Sequence, residues 1–213
     1  MPGALCPTIP TPGPITRRTN GVSVEVERVL KDSGALLEGH FLLTSGLHSS
    51  QYLEKFHILQ YPWYTERLCG LIAQRFRGQG IQTVAGPTVG GVILAYEVGK
   101  QLGVRGIFAE REDHGRAFQR GFALAPGERV LVVDDVLTTG GSVIQMLDAV
   151  RRRGAVVAGV GILVDRAGEK VDLGVPFFAC VRLDLPAYSP DQCPLCAQGV
   201  PLKSLGGKHS TPS

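Results

Sequence analysis

The stretch Val130-Leu-Val-Val-Asp134-Asp135-Val136-Leu137-Thr138-Thr139-Gly140-Gly141-Ser142 decides the fold of this 213-residue chain. Residues 130–133 are consecutive apolar side chains, mostly β-branched, and suit a parallel strand buried on both faces. The paired carboxylates then emerge at the strand's carboxyl end, the edge at which open α/β sheets bind ligands. Val143-Ile-Gln-Met-Leu-Asp-Ala-Val150 follows with apolar residues at helical spacing, so the backbone N–H groups of residues 138–142 open a helix N-terminus. Such an end is an anion site. Gly140 and Gly141 let a phosphate approach the backbone, and the hydroxyls of Thr138, Thr139 and Ser142 add donors. Asp134 and Asp135 repel a phosphate; they suit ribose hydroxyls, a metal ion, or positive charge developing on a sugar ring. A helix cap alone explains any one of these residues. Capping needs neither paired acids nor two threonines and two glycines in this order, and the whole pattern reads as a site for a phosphorylated sugar.

The surrounding sequence alternates regularly. A strand at 83–85, a glycine-rich loop, a helix at 92–102, a strand at 104–109, a polar loop, the strand at 129–133, its helix and a last core strand at 156–164 predict a mainly parallel α/β sheet with helices on both faces. Before it, residues 24–31 have helical periodicity, residues 40–45 and 51–58 form a β-rich hood, and Pro62 starts an amphipathic helix closed by Gly78 and Gly80. Gly86-Pro87-Thr88-Val89-Gly90-Gly91 lies between a strand and a helix, so it forms a second anion cradle on the same sheet edge. Alone it would be a simple Gly-Pro turn, but two cradles suit a ligand with phosphates at both ends. Ala109-Glu110-Arg111-Glu112-Asp113-His114-Gly115-Arg116-Ala-Phe-Gln-Arg120-Gly121 is polar, glycine-punctuated and without periodicity, and reads as a mobile surface loop.

With 44% hydrophobic residues the chain can bury one core plus a small appendage, and a net charge of +3 with dispersed basic residues points to neither nucleic-acid nor membrane binding. The longest near-apolar stretch, 154–164, is too short to span a bilayer. Residues 1–21 are proline-rich and lack the apolar core of a secretory signal, so a disordered leader and cytoplasmic residence are expected. The five cysteines fit a reducing compartment. Cys193-Pro-Leu-Cys196 offers half of a zinc site, but no second pair or nearby histidine couplet completes it in the sequence, and Cys180 and His209 are the only late candidates. No metal ligand is therefore assigned.

The acidic, hydroxyl- and glycine-rich stretch resembles the phosphoribosyl-pyrophosphate (PRPP) motif of the type I phosphoribosyltransferases. Phe41-Leu-Leu-Thr-Ser45-Gly46-Leu-His48-Ser49 further resembles the hood segment of their orotate-using members. The resemblance implies the type I phosphoribosyltransferase fold: hood largely at 22–60, core at 61–185, a carboxyl-terminal segment at 186–203 and a flexible tail at 204–213. It implies PRPP contacts from Thr88, Val89, Gly90, Gly91, Arg111 and residues 134–142, Mg²⁺ held mainly by PRPP, and a homodimer. It also implies orotate contacts from Tyr52, Leu53, Thr138 and Arg166, the arginine meeting the base carboxylate. The family's loop lysine near the leaving pyrophosphate is missing between Gln101 and Glu169; its role passes to Arg111, Arg116 or Arg120, with His114 a further donor. Orotate enzymes often have lysine where Gly90 stands, so pyrophosphate charge must be met otherwise. The activity implied is orotate plus PRPP giving orotidine 5′-monophosphate and pyrophosphate in pyrimidine synthesis. A purine phosphoribosyltransferase and a non-catalytic PRPP-sensing regulator are the alternatives.

Overall fold

The computed structural model describes residues 21–43, 45–167 and 171–205. The proline-rich leader apart from Gly21, all but the start of the expected tail, and His209 lie outside them; Gly21 opens a helix rather than ending the leader. The sheet is organised around the apolar run that opened the sequence. Strand β6 (Arg129–Leu137) pairs in parallel with β3 (Thr83–Pro87) on one side and β7 (Val156–Asp165) on the other. Strands β4 (Arg105–Glu112) and β8 (Phe177–Arg182) continue the parallel array, and β5 (Gly115–Ala117) adds an antiparallel edge, giving the order β5-β4-β3-β6-β7-β8.

Both faces of β6 are buried, and its side chains divide between two cores. Leu131 and Val133 join Leu163, Val84 and the apolar residues of α1 (Gly21–Asp32), α3 (Pro62–Phe76) and α4 (Gly90–Leu102). Val130 and Val132 face the other way, against Met146, Leu147 and Val150 of α5 (Gly141–Arg152). This is the period-two division of a strand with helices on both faces. Each fully buried aliphatic side chain contributes about 1.5–3 kcal/mol by leaving water, so the same run that marks the strand also anchors both layers.

The hood is a three-stranded sheet in the order β2-β1-β9, from β1 (Leu36–Leu42), β2 (His48–Leu53) and β9 (Lys203–Ser204). Strand β9 lies parallel to β1, and an isolated bridge joins His48 to Tyr188, so the carboxyl-terminal segment closes on the amino-terminal hairpin. The pair Cys193 and Cys196, at the start of α6 (Pro194–Ala197), is thereby carried to His40 and His48.

Several expectations are corrected. Residues 56–59 form a short helix, α2 (Phe56–Leu59), rather than continuing a strand, because Ile58 and Leu59 turn into the core while Phe56 stays exposed. The 156–164 strand is not the last of the sheet, since β8 follows it. Part of the polar loop at 110–121 is a β4–β5 hairpin, with Arg111 opposite Arg116. Asp134 and Asp135 do not follow the strand but lie within it, because β6 runs on to Leu137. Cys180 is no companion of Cys193 and Cys196; it is buried in the core with its thiol 3.5 Å from the Leu68 carbonyl.

Candidate active site

In chain order the parallel strands are β3, β4, β6, β7 and β8, whereas in space β4 and β3 run one way from the centre and β6, β7 and β8 the other. The direction of winding reverses between β3 and β6, and crevices form at the carboxyl ends of strands beside such a reversal. The loop of Thr88 to Gly91 follows β3, and the segment from Asp134 to Ser142 ends β6, so both loops lie at the carboxyl ends of the two strands that flank the reversal. The Thr88–Val89 peptide is cis, and the Thr88 amide donates to the Ala109 carbonyl at 3.2 Å, tying the first cradle to β4.

Gly140 has φ of +80°, a left-handed conformation suited to glycine, and its carbonyl accepts from the Ile144 amide at 2.8 Å, which starts α5. Thr138, Thr139 and Gly141 are exposed at this turn, whereas Gly140 is buried. Leu137 is buried and Val136 packs against the core, which leaves these two residues only their backbone to offer a ligand.

Asp134 and Asp135 are 6% and 4% exposed. Burial, reinforced by the neighbouring Asp135 carboxylate, pushes Asp134 up to about 7, against the opposing effects of the Asp135 amide, Lys55 and the Ser142 hydroxyl. That amide donates to Asp134 Oδ1 at 2.9 Å. Ser142, expected as a phosphate donor, hydrogen-bonds Asp134 and accepts from Arg116 Nη2 at 3.1 Å. Arg116 is itself buried, which pushes its pKa down, and it positions Ser142 rather than reaching into the crevice.

Lys55, which the sequence reading did not single out, reaches the paired acids from the hood. Its Nζ lies 3.0 Å from Oδ1 and 2.8 Å from Oδ2 of Asp135. Gly90 makes room for this arrangement, since a Cβ there would overlap the Asp135 carboxylate. The cation beside Asp135 thus arrives from the hood. The sequence signal is the position of Lys55 two residues after the strand that bears Tyr52.

Tyr52 and Arg166 are brought together, each sensing the other electrostatically. Burial raises the Tyr52 phenol and lowers the Arg166 guanidinium. The Arg166 amide donates to the Leu137 carbonyl at 2.8 Å, fastening the turn after β7 to the end of β6. Leu53, expected beside Tyr52 at the base, points into the core because successive strand residues face opposite ways. Arg111 is exposed on the β4–β5 hairpin, and Arg120 pairs with Glu110 at 2.9 Å. His114 lines a groove with Ala149, Arg152 and Arg153 in the last turns of α5, at the opposite end of that helix from Gly141. Within one chain, therefore, His114 is not gathered beside the carboxylates.

Residues 58–181 match the model of the phosphoribosyl transferase domain. The chain is 50% identical over 184 residues to the orotate phosphoribosyltransferase of Pelotomaculum thermopropionicum, covering 86% of this chain and 97% of that one. It is 48% identical over 187 residues to the enzyme of the same name from Desulforamulus reducens, covering 88% and 98%. The crystal structure of orotate phosphoribosyltransferase from Aeropyrum pernix superposes with a TM-score of 0.62 at 30% identity, over 74% of this chain and 93% of that one. With a six-stranded, mainly parallel sheet and these likenesses, the chain belongs to the phosphoribosyltransferase family, among its orotate phosphoribosyltransferases.

Proposed function

We propose that the chain transfers the 5-phosphoribosyl group of PRPP to orotate, giving orotidine 5′-monophosphate and pyrophosphate. The observation that carries the choice of base is Arg166. Its guanidinium is half-buried, and its Nε finds no hydrogen-bond partner among the described residues. A desolvated cation without a partner calls for an anion. Orotate brings a carboxylate and a purine base does not.

The remaining roles follow from the crevice. The amides and hydroxyls from Thr138 to Gly141 hold the 5′-phosphate, and this remote binding orients the reacting carbon. Asp134 and Asp135 face the ribose hydroxyls and stabilise positive charge on the ring as the bond to pyrophosphate lengthens. The Thr88-to-Gly91 loop takes the pyrophosphate through backbone N–H groups, while Tyr52 flanks the base. Two buried carboxyl groups, Asp134 and Asp135, offer hard oxygen donors of the kind Mg²⁺ takes. Bound with PRPP, that ion supplies charge neutralisation at the leaving pyrophosphate.

The same reading includes a homodimer. Val89, Ile93 and Tyr96 expose apolar surface around the start of α4, and a cavity lined by Leu59, Pro62, Ile93 and Tyr96 brings that surface against the preceding helices, where Phe56 and Trp63 are also exposed. Such surface supports burial against a second copy, whose β4–β5 hairpin would supply Arg111 and His114 to the pyrophosphate. Cytoplasmic residence fits the four free cysteines among the described residues, and no described helix is long and apolar enough to cross a membrane.

The test is pyrophosphate release from PRPP with orotate, adenine, hypoxanthine, guanine or xanthine as acceptor. Release with orotate alone is the expected result. Release with a purine in preference to orotate would overturn the assignment, and PRPP binding without release on any base would instead mark a non-catalytic regulator.

A further inference from the structure

We propose that His40, His48, Cys193 and Cys196 hold a structural zinc ion that clips the carboxyl-terminal segment to the hood. The four residues come from three separate places, β1, β2 and the start of α6, yet their ligand atoms all lie within 4.8 Å of one another. His40 Nε2 is 3.1 Å from His48 Nδ1, 3.4 Å from Cys193 Sγ and 3.8 Å from Cys196 Sγ, and His48 Nδ1 is 3.3 Å from Cys196 Sγ. A tetrahedral ion with bonds of about 2.0–2.1 Å to nitrogen and about 2.3 Å to sulfur separates its ligands by about 3.3 Å (N–N), about 3.6 Å (N–S) and about 3.8 Å (S–S). The four measured separations fall within a few tenths of an ångström of those edges.

The chemistry of the set agrees with its shape. Two thiolates and two neutral imidazoles cancel the charge of a divalent ion, and a tetrahedral S₂N₂ set selects zinc over the oxygen-seeking Mg²⁺ of the substrate crevice. The protein also orients the ligands. His40 Nδ1 is 2.8 Å from the Val200 carbonyl, an atom that can only accept, so this nitrogen carries the proton and Nε2 is left to coordinate. A ligating histidine that donates its other N–H to a carbonyl is the usual outer-shell support of a zinc site. His40 is 1% exposed, His48 6% and Cys193 3%, so three of the four groups have been taken out of water to meet one another. Binding releases the two thiol protons and leaves no redox step to balance.

The location assigns the role. No open coordination position is apparent, as four protein ligands complete a tetrahedron, so the ion is structural rather than catalytic. It reinforces the contacts that already join the segment to the hood, namely the β1–β9 pairing, the His48–Tyr188 bridge and the Ser49 hydroxyl donating to the Pro186 carbonyl at 2.6 Å. Strand β2 begins at His48 and carries Tyr52 two pleat repeats further on, so the clip steadies the strand that bears it. The proposal stands independently of which base the crevice accepts.

The test is the zinc content of the full-length protein, purified without chelator or polyhistidine tag from zinc-supplemented medium. About one zinc per chain is expected. Wild-type apoprotein titrated with Co²⁺ should develop the ligand-field and thiolate charge-transfer absorbance of a tetrahedral S₂N₂ site. Cys196→Ser, at the exposed ligand, should lose the zinc and those bands. Sub-stoichiometric zinc with no cobalt bands in the folded wild-type protein overturns the proposal, as does full retention of zinc by Cys196→Ser or a mass showing Cys193 and Cys196 oxidised to a disulfide. Should Cys196→Ser fail to fold, the wild-type metal content and cobalt spectrum still decide.

Discussion

Lys55 reaches from the hood to place its ammonium 2.8 Å from one carboxylate oxygen of Asp135 and 3.0 Å from the other, an ion pair between an intermediate-burial lysine and a buried acid of the central strand. It links the part of the molecule expected to meet the base to the part expected to meet the ribose. Removing the ammonium leaves two adjacent carboxylates in a desolvated ledge with one cation fewer. Lys55→Ala should lower stability by about 1–2 kcal/mol, less than a fully buried pair would cost because the lysine is partly in water. It should also reduce kcat/KM for PRPP. Denaturant unfolding and steady-state kinetics measure the two effects separately.

Gly90 is the position at which the backbone yields to that carboxylate. Gly90→Ala should displace Asp135 from Lys55 and weaken PRPP binding while leaving the sheet intact, because the added methyl overlaps a side chain rather than the core. Calorimetric titration of PRPP with Mg²⁺, alongside an unchanged far-ultraviolet spectrum, checks this.

Asp134 gives a pH dependence of known sign. Its proton is held up to about 7 in the folded chain against an ordinary value of 3.8, so folding stability from this group is present below 3.8 and is lost as pH rises through about 7. Activity runs the other way, since the ionised carboxylate is the form that stabilises positive charge on the ribose. In the free enzyme kcat/KM for PRPP should therefore rise across this range. Asp134→Asn should flatten the rise and lose less thermal stability than the wild type between mildly acidic and mildly alkaline buffer. A rise of the same midpoint in the variant would assign the titration to another group.

Arg166→Gln should lower kcat/KM for orotate on the order of tenfold to a hundredfold, the worth of one charge-assisted hydrogen bond. KM for PRPP should change little. Initial rates with each substrate varied in turn distinguish this from a general loss of the site.

The sequence carried the centre of the molecule more clearly than its margins. The run from Val130 to Val133 could be read because both-face burial demands apolar residues at every position, and α3 and α4 could be read from helical periodicity. Strand β5 could not, because Gly115-Arg116-Ala117 is ordered by tertiary contacts of Arg116 with Ser142 and of its carbonyl with Arg152, not by an apolar pattern. Strand β8 is mostly half-buried at the sheet edge and lacks clean alternation. The short helix α2 was concealed by the strand-like spacing of Phe56 and Ile58. The Cys193–Cys196 pair gave half of a tetrahedron, and its completion lay about 150 residues away in sequence. The hairpin register pairs Leu42 with His48, and a bulge falls between Glu38 and Phe41, so strand alternation in the sequence could not place His40 beside His48.

The account rests on Asp134 and Asp135 facing the ribose, and the measurement closest to that claim is orotate-dependent pyrophosphate release by the double variant Asp134→Asn, Asp135→Asn, with its melting temperature recorded in parallel. The predicted result is a loss of turnover on the order of a thousandfold in a protein that still folds cooperatively. Turnover equal to that of the wild type in the folded double variant would contradict the account.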